Sequence, residues 1–507
     1  MAAPQPTRDA VRFLLDGETV ELRDIDPTRT VLQWLREDAG RTGTKEGCAE
    51  GDCGACTVVL ADLDGDDGRL RYRAVNACIQ FLPTLDGREL ITVESLGSPQ
   101  TGLHPVQKAM YECHGSQCGF CTPGFVMSLF ALYRNRRDPS RRDIDDALAG
   151  NLCRCTGYRP IVEAARRMYD YEPDLPADDE TPARLKSLVD SAADDSAGAG
   201  MLALERGGRR YFAPTTAAGL AALLAEYPDA CLLAGGTDVG LWVTKQHREL
   251  DTVIYVGRVR ELAETSMNDE WLSIGAAVTL TDAMAPVVAE YPELEELFLR
   301  FASPPIRNTG TLAGNVANGS PIGDSMPALI ALGATVVLAS RDGRRELALE
   351  DFYHDYRKTD LAPGEFVAAV RIPRRRPGRL VAAYKVSKRF DQDISAVCAA
   401  FALDIEDGRV ASARIACGGM AAIPKRAAAA ERALAGGAWD EAAVGRAMAA
   451  MDADFAPITD MRAGDAYRRE VAKNLLRRFH IESTAAGIAT RLYSHGRDSH
   501  GRDTHGR

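Results

Sequence analysis

The 507-residue chain is too long for one ordinary domain, and about 150 residues per domain suggests three or four. Hydrophobic residues make up 46% and charged residues 26%, the balance of a soluble globular protein, and a net charge of −11 excludes the basic stripe that nucleic-acid binding needs. No run of 18 apolar residues appears and MAAPQPTRDA lacks the basic and apolar regions of a signal peptide, so the sequence predicts a cytoplasmic protein with no membrane span.

In chain order, residues 11–22, VRFLLDGETVEL, alternate apolar and polar about Asp16-Gly17, a hairpin signal. The stretch TVLQWLRED reads as a helix with Thr28 or Thr30 as its cap. Strands at 57–60 and 70–75 flank the acidic turn DLDGDDG, and a short strand follows at 89–94. Two hairpins wrapped on one helix fit a small α+β domain. Helical patterns then cover 105–113, 123–136, 141–149 and 160–169. Thr122 is the expected cap before Pro123, and Ser140 with Asp143 resembles a capping box. Residues 171–203 are rich in Asp, Ala, Ser and Gly and read as a linker. After Tyr211 the chain mixes β and α to about 485. The last residues repeat His495, His500 and His505 at five-residue intervals, a low-complexity tail.

Twelve cysteines in a reducing compartment are unsuited to a disulfide framework and point to metal or redox chemistry. Cys48, Cys53, Cys56 and Cys78 read C-x4-C-x2-C-x21-C, the plant-type [2Fe–2S] spacing. Three of the four lie in GCAEGDCGACT, where Gly47, Gly51 and Gly54 let backbone amides turn toward sulfur and stabilise an anionic cluster. Cys118 and Cys121 form C-x2-C, and Cys153 and Cys155 form C-x-C. Both pairs precede predicted helices, whose free amides suit thiolates, so a second [2Fe–2S] unit is expected. A structural four-Cys zinc protein is the competing, non-enzymatic reading. Cys113, Cys231, Cys398 and Cys417 read as ordinary small buried residues. Two Gly-rich loops follow, LLAGGTDVG (232–240) and TLAGNVANG (311–319); neither is a Rossmann fingerprint, so structural turns and phosphate binding both remain open for them.

QCGFCTPG followed by GNLCRCTGYRP resembles the iron–sulfur segment of the molybdenum hydroxylases, the xanthine dehydrogenase family, through both cysteine groups. LLAGGTDVG, IGAAVTLTD, FASPPIRNTGTLAGNVANGSPIGDSMPAL and YKVSKRFDQDISAV are similar to its flavin-binding segments. The resemblance implies an α+β multidomain chain. It comprises a β-grasp ferredoxin-like domain (1–95), a four-helix [2Fe–2S] domain (96–170) and the linker (171–203). An FAD-binding α+β domain of the vanillyl-alcohol-oxidase type (204–380), an α+β flavoprotein C-terminal domain (381–485) and the tail (486–507) follow. Carried over by position, Leu232, Leu233, Ala234, Gly235, Gly236, Thr237, Asp238 and Val239 hold the FAD pyrophosphate, with Thr311, Leu312, Ala313, Gly314 and Asn315 opposite. Phe301 falls beside the isoalloxazine, and Asp324, Val367 and Lys385 at further flavin positions; the cation of Lys385 favours an anionic reduced flavin. Residues 388–393 fall in a charged loop near the flavin, and DMRAGDAYRRE (460–470) departs modestly from the family spelling.

The resemblance also implies function. Gln117 touches the pterin of a molybdopterin that a second polypeptide carries, since no segment here resembles the large molybdopterin-binding domains. The fused order of iron–sulfur and flavin parts favours the electron-transfer subunit of a purine dehydrogenase, in an α2β2 assembly, with NAD⁺ as acceptor. An aldehyde or N-heterocycle dehydrogenase of the same family is the alternative. The chain supplies no catalytic acid or base of its own; its work is cofactor placement.

Overall fold

The computed structural model describes residues 7–64, 68–98, 100–172, 180–191 and 201–485, with Ile488 and Thr490. The N-terminal unit is a mixed five-stranded sheet in the spatial order Glu18–Arg23, Ala10–Leu15, Glu89–Ile91, Thr57–Asp64, Arg69–Asn76. Its first hairpin turns at Asp16 (φ 55°) and Gly17 (φ 75°), the left-handed pair that matches strand twist in a two-residue turn. One helical segment lies across the sheet. Thr30 caps it in a reciprocal box with Gln33, and from Trp34 to Asp38 it widens to π geometry, with the Ala39 N–H donating to the Trp34 carbonyl at 2.9 Å. Trp34 meets Phe13 edge to face, which fixes the helix on the sheet. This is the expected β-grasp arrangement.

Four helices follow at Pro105–Glu112, Thr122–Asn135, Arg141–Leu148 and Arg159–Arg167. Ser140 and Asp143 form the expected box at the third. At the second helix the cap is Cys121 rather than Thr122; the Thr122 hydroxyl turns away to Ser116 at 2.7 Å. That helix is buried from Gly124 to Leu132 because it serves two cores. Phe125 and Leu129 face the bundle, while Met127, Phe130 and Ala131 pack on Val59, Tyr72 and Ile91 of the first sheet. Each large side chain so buried contributes roughly 1.5–3 kcal/mol, enough to make the two cysteine-bearing units one packed body.

The flavin-type unit holds two sheets. One orders Thr7–Arg8, Met201–Arg206, Arg209–Ala213, Thr252–Tyr255, Cys231–Leu233; the other, antiparallel, orders Thr265–Met267, Trp271–Gly275, Phe366–Pro373, Thr335–Ser340, Gly343–Ala348. Thr7–Arg8 runs parallel to Met201–Leu202, so the chain's first described residues are an edge strand of the flavin unit. A shared core joins Phe13 and Leu82 to Leu202, Tyr211 and Val253. The C-terminal unit is an antiparallel sheet, Leu380–Val386, Val397–Glu406, Arg409–Gly418, Lys425–Arg426, with helices Ala428–Leu434, Glu441–Asp454 and Asp465–Thr484. Phe401 stacks on Phe479 to pin the last helix.

The four-part α+β architecture is the expected one. The segment read as a linker differs: it contains a helix, Thr181–Ser191, with Leu185 fully buried, and the strand from Met201 begins within it. Amphipathic burial outweighs its polar composition there. Residues 173–179 and 192–200, and the tail with its three histidines, lie outside the described residues. No helix among the described residues is long and apolar enough to cross a membrane.

Candidate functional site: two cysteine sets and a Gly-walled cavity

The first cysteine set sits on a loop wound by left-handed residues. Ala49, Gly51 and Gly54 have φ of 54°, 78° and 70°. This winding aims the N–H groups of Asp52 and Cys53 at Cys48 Sγ, both at 3.3 Å. Hydrogen bonds with the Cys53 and Cys78 thiols, and with the Cys53 amide, hold the Cys48 thiol well below its usual range; the contact with Cys48 and burial push Cys53 up, and contacts with Cys48 and Cys56 and burial do the same to Cys78. A Cβ on Gly47 would lie 2.7 Å from Cys53 Sγ. Cys56 and Cys78 are buried, and Cys56 Sγ lies 3.9 Å from Asn76 Oδ1. Inward amides, a wrapped loop and four converging thiols suit an anionic iron–sulfur unit, which gains from N–H···S bonds.

In the second set Cys118 pairs with Cys155, and Cys121 with Cys153. Cys118 and Cys155 are exposed and the other two half-buried. The Phe120 amide lowers the Cys118 thiol, while burial pushes Cys121 up to about 12. Cys153 Sγ lies 3.1 Å from the Thr156 hydroxyl, and its N–H donates to Tyr158 Oη at 2.9 Å. Tyr158, at φ 67°, caps the helix from Arg159. Gln117, Phe120, Leu152 and Tyr158 are exposed around the set. Among the described residues no group of His, Cys, Asp or Glu is placed to hold a single metal ion. Of the four other cysteines, Cys398 and Cys417 are buried as expected, but Cys113 and Cys231 are only half-buried.

A cavity of about 600 Å³ lies between the sheets of the flavin-type unit. Leu232, Ala234, Gly235, Gly236, Thr237, Asp238 and Val239 line one side, Thr311, Ala313, Gly314 and Asn315 the other, with Phe301 and Val367 at its walls. The two loops touch through backbone: a Cβ on Gly235 would meet the Thr309 carbonyl oxygen at 2.0 Å. Thr311 caps the short helix Leu312–Asn318, its Oγ1 accepting from the Gly314 N–H at 2.9 Å. Leu233 and Leu312 do not line the cavity; their side chains are buried in the core. Asp324 and Lys385 do not line it either. They meet each other at 2.6 Å, and Ser395 donates to the same carboxylate. Residues 388–393 lie off the cavity as well, and Gln392 Nε2 donates to the Asp52 carbonyl in the first cysteine loop at 3.1 Å. Sequence reasoning missed two cations of the lining, Arg248 and Arg357, and the apolar Trp242 and Ile306. Ile306 lies within the segment that resembles the flavin-binding one, whereas no local motif marks Trp242, Arg248 or Arg357; only the tertiary fold brings them to the wall. A cavity of this size with loops too close for side chains, and arginines beside them, fits an extended dinucleotide.

The cysteine sets and cavity are contiguous. Gly51 packs on Ile306 of the cavity wall, where an added Cβ would stand 3.1 Å from Ile306 Cδ1. The Thr244 hydroxyl donates to the Ala49 carbonyl at 2.8 Å. Arg307, 2% exposed, ties the flavin unit to Asp146 of the helical unit at 2.5 Å.

Known proteins match part by part. Residues 13–82 match the 2Fe-2S iron-sulfur cluster binding domain, 92–166 the [2Fe-2S] binding domain, 205–375 the FAD binding domain in molybdopterin dehydrogenase, and 382–483 the CO dehydrogenase flavoprotein C-terminal domain. A CO dehydrogenase chain from Oligotropha carboxidovorans is 30% identical, with a TM-score of 0.51 over 54% of this chain and 97% of that one. The chain belongs to the molybdenum hydroxylase family. Within that family it is the [2Fe–2S] and FAD part, and the cluster-domain matches over both cysteine sets set aside the zinc reading. Xanthine dehydrogenase of Emericella nidulans is 33% identical over 93% of this chain, and xanthine dehydrogenase/oxidase of Gallus gallus 33% over 87%. The chain spans 38% and 37% of those two proteins. Quinoline 2-oxidoreductase from Pseudomonas putida 86 is 28% identical, with a TM-score of 0.50 over 54% of this chain and 95% of that one.

Proposed function

We propose that this chain is the electron-transfer part of a xanthine dehydrogenase, working with a molybdopterin-bearing partner subunit in an α2β2 assembly. Cys48, Cys53, Cys56 and Cys78 hold one cluster, and Cys118, Cys121, Cys153 and Cys155 the other. The cavity between the 232–239 and 311–315 loops holds FAD, with Phe301 and Val367 at its walls. When bound, these groups relay single electrons from the partner's molybdenum centre and deliver a pair to NAD⁺. The chain's own residues place them: left-handed glycines aim amides at sulfur, and the Gly loops admit the pyrophosphate. The exposed surface around Cys118 and Cys155, with Gln117 beside it, is where the partner's pterin docks.

The single observation that carries this reading is contiguity. Both cysteine sets are in backbone contact, and the first set's loop packs on the cavity wall through Gly51 and Ile306. A purine substrate is supported by the xanthine dehydrogenase relatives, which align over nearly the whole chain, whereas the CO dehydrogenase chain covers about half. A second reading, oxidation of another N-heterocycle, is favoured by the likeness to quinoline 2-oxidoreductase. The test is anaerobic reduction of the co-purified complex with hypoxanthine, xanthine, quinoline or an aldehyde, followed by visible absorbance. Bleaching by purines and recovery on adding NAD⁺ is expected. Bleaching by aldehyde or quinoline but not by purine contradicts the purine assignment.

A further inference from the structure

Gly54, Gly124 and Gly150 come from three separate segments and meet backbone to backbone. A Cβ on Gly54 would lie 2.1 Å from the Gly150 carbonyl oxygen, and one on Gly124 would lie 2.1 Å from the Gly54 carbonyl oxygen. Gly54 sits between Cys53 and Cys56, Gly124 lies in the first turn of the helix capped by Cys121, and Gly150 precedes Cys153 by three residues. The backbones of both cysteine sets therefore converge on one point.

A buried amide seals that point. Asn151, 2% exposed, donates from Nδ2 to the Gly54 carbonyl at 3.0 Å and to Thr57 Oγ1 at 3.2 Å. Its Oδ1 accepts from the hydroxyl of Ser128, also 2% exposed, at 2.6 Å. The Gly54 carbonyl accepts further bonds from the Thr57 N–H at 3.1 Å and the Thr57 hydroxyl at 2.7 Å. One carbonyl with three donors is held far more firmly than a loop carbonyl in water. The next residue, Leu152, donates its N–H to the Cys53 carbonyl at 3.0 Å. Cys53 belongs to the first set, and Leu152 is bonded to Cys153 of the second. A single hydrogen bond thus joins the two sets through otherwise covalent links.

We infer that Asn151 is the positioning residue that holds this junction closed, and that it thereby sets the rate of electron exchange between the two clusters. The inference rests on the electron-relay reading above. The step is a one-electron transfer in which one cluster is oxidised and the other reduced, with no bond or proton moved. Asn151 touches neither cluster site; it acts through Gly54 and Leu152. Without its amide, the Gly54 carbonyl loses a donor and the 150–152 turn its anchor, so the Leu152–Cys53 bond opens and the exchange slows. Loss of a partner behind a metal ligand costs about tenfold or more in function.

The test uses the full chain with both clusters and FAD, reduced anaerobically by a light flash, with rapid freezing and electron paramagnetic resonance to follow each cluster. In Asn151→Ala, iron, FAD, the g-values and the midpoint potentials stay as in the parent. Equilibration between clusters slows by about tenfold, and the magnetic coupling between the reduced clusters weakens. An unchanged rate with full iron overturns the inference. If Asn151→Ala fails to retain iron, Ser128→Ala decides, since it keeps every donor of Asn151 and frees only its orientation: a slower rate supports the inference, an unchanged one overturns it. A parent chain without two distinct cluster signals overturns the relay reading itself.

Discussion

Lys385 Nζ stands 2.6 Å from Asp324 Oδ2, and the two side chains keep only 3% and 4% of their surface exposed. Lys385 lies on the first strand of the C-terminal sheet, and Asp324 caps the fully buried helix Ser325–Leu332. The pair thus fastens the C-terminal unit to the flavin unit, and Ser395 satisfies the second carboxylate oxygen. Breaking one side of such a pair strands the other charge. Lys385→Met is expected to destabilise the FAD-loaded chain by about 3–5 kcal/mol, and the Lys385→Met/Asp324→Leu double variant by much less. Denaturant titration checks this; equal losses in the two variants contradict it.

The close approach of the flavin loops makes Gly235 intolerant of a side chain. Its added Cβ would meet the Thr309 carbonyl, a backbone atom that cannot swing away. Overpacking of this kind costs about 1–3 kcal/mol, so Gly235→Ala is expected to weaken FAD binding by about tenfold or more. Flavin fluorescence after dialysis reads the affinity, and the iron content stays unchanged.

Gly47→Ala tests the first cysteine loop alone. Its Cβ would press on Cys53 Sγ, a cluster ligand in the proposed assignment. The variant is expected to fall from about four irons per chain to about two, with one of the two cluster signals lost. Retention of both signals contradicts the ligand assignment of Cys53.

Arg379 and Asp404 set a pH limit on the C-terminal unit. The guanidinium of Arg379, at 2.6–2.7 Å, lowers the Asp404 carboxyl to about 2. A folded-state value below the unfolded one, about 3.9, means the unfolded chain binds the extra proton as pH falls. The stabilisation is therefore complete above about pH 4 and lost as pH falls toward 2. Because the carboxylate keeps some contact with water, its worth is on the order of 1 kcal/mol. Arg379→Gln is expected to lower thermal stability at pH 6 and to flatten its further fall between pH 4 and 2, measured by circular dichroism.

Much of this was legible in the sequence because it is local. Asp16-Gly17 permits the left-handed turn it makes, Ser140 and Asp143 are three residues apart, and the cysteine spacing is fixed by loop geometry. Long-range facts were not. Thr7–Arg8 is too short to show periodicity, yet it joins a strand almost two hundred residues away. The helix Thr181–Ser191 is stabilised by the burial of Leu185 rather than by composition. Thr122 loses the cap to Cys121 because its hydroxyl finds Ser116. Lys385 is expected at the flavin from the resemblance, yet it lies off the cavity as the ion-pair partner of Asp324, a contact 61 residues away that no local pattern shows. Asn151 carries no signal at all until Gly54 and Ser128 are seen beside it.

The most direct test of the account is iron, sulfide and FAD analysis of the anaerobically reconstituted chain, paired with electron paramagnetic resonance of its reduced form. Two [2Fe–2S] units and one flavin predict about four irons, four sulfides and one FAD per chain, with two separate cluster signals. Two irons, a single signal, or bound zinc in a colourless protein contradicts it.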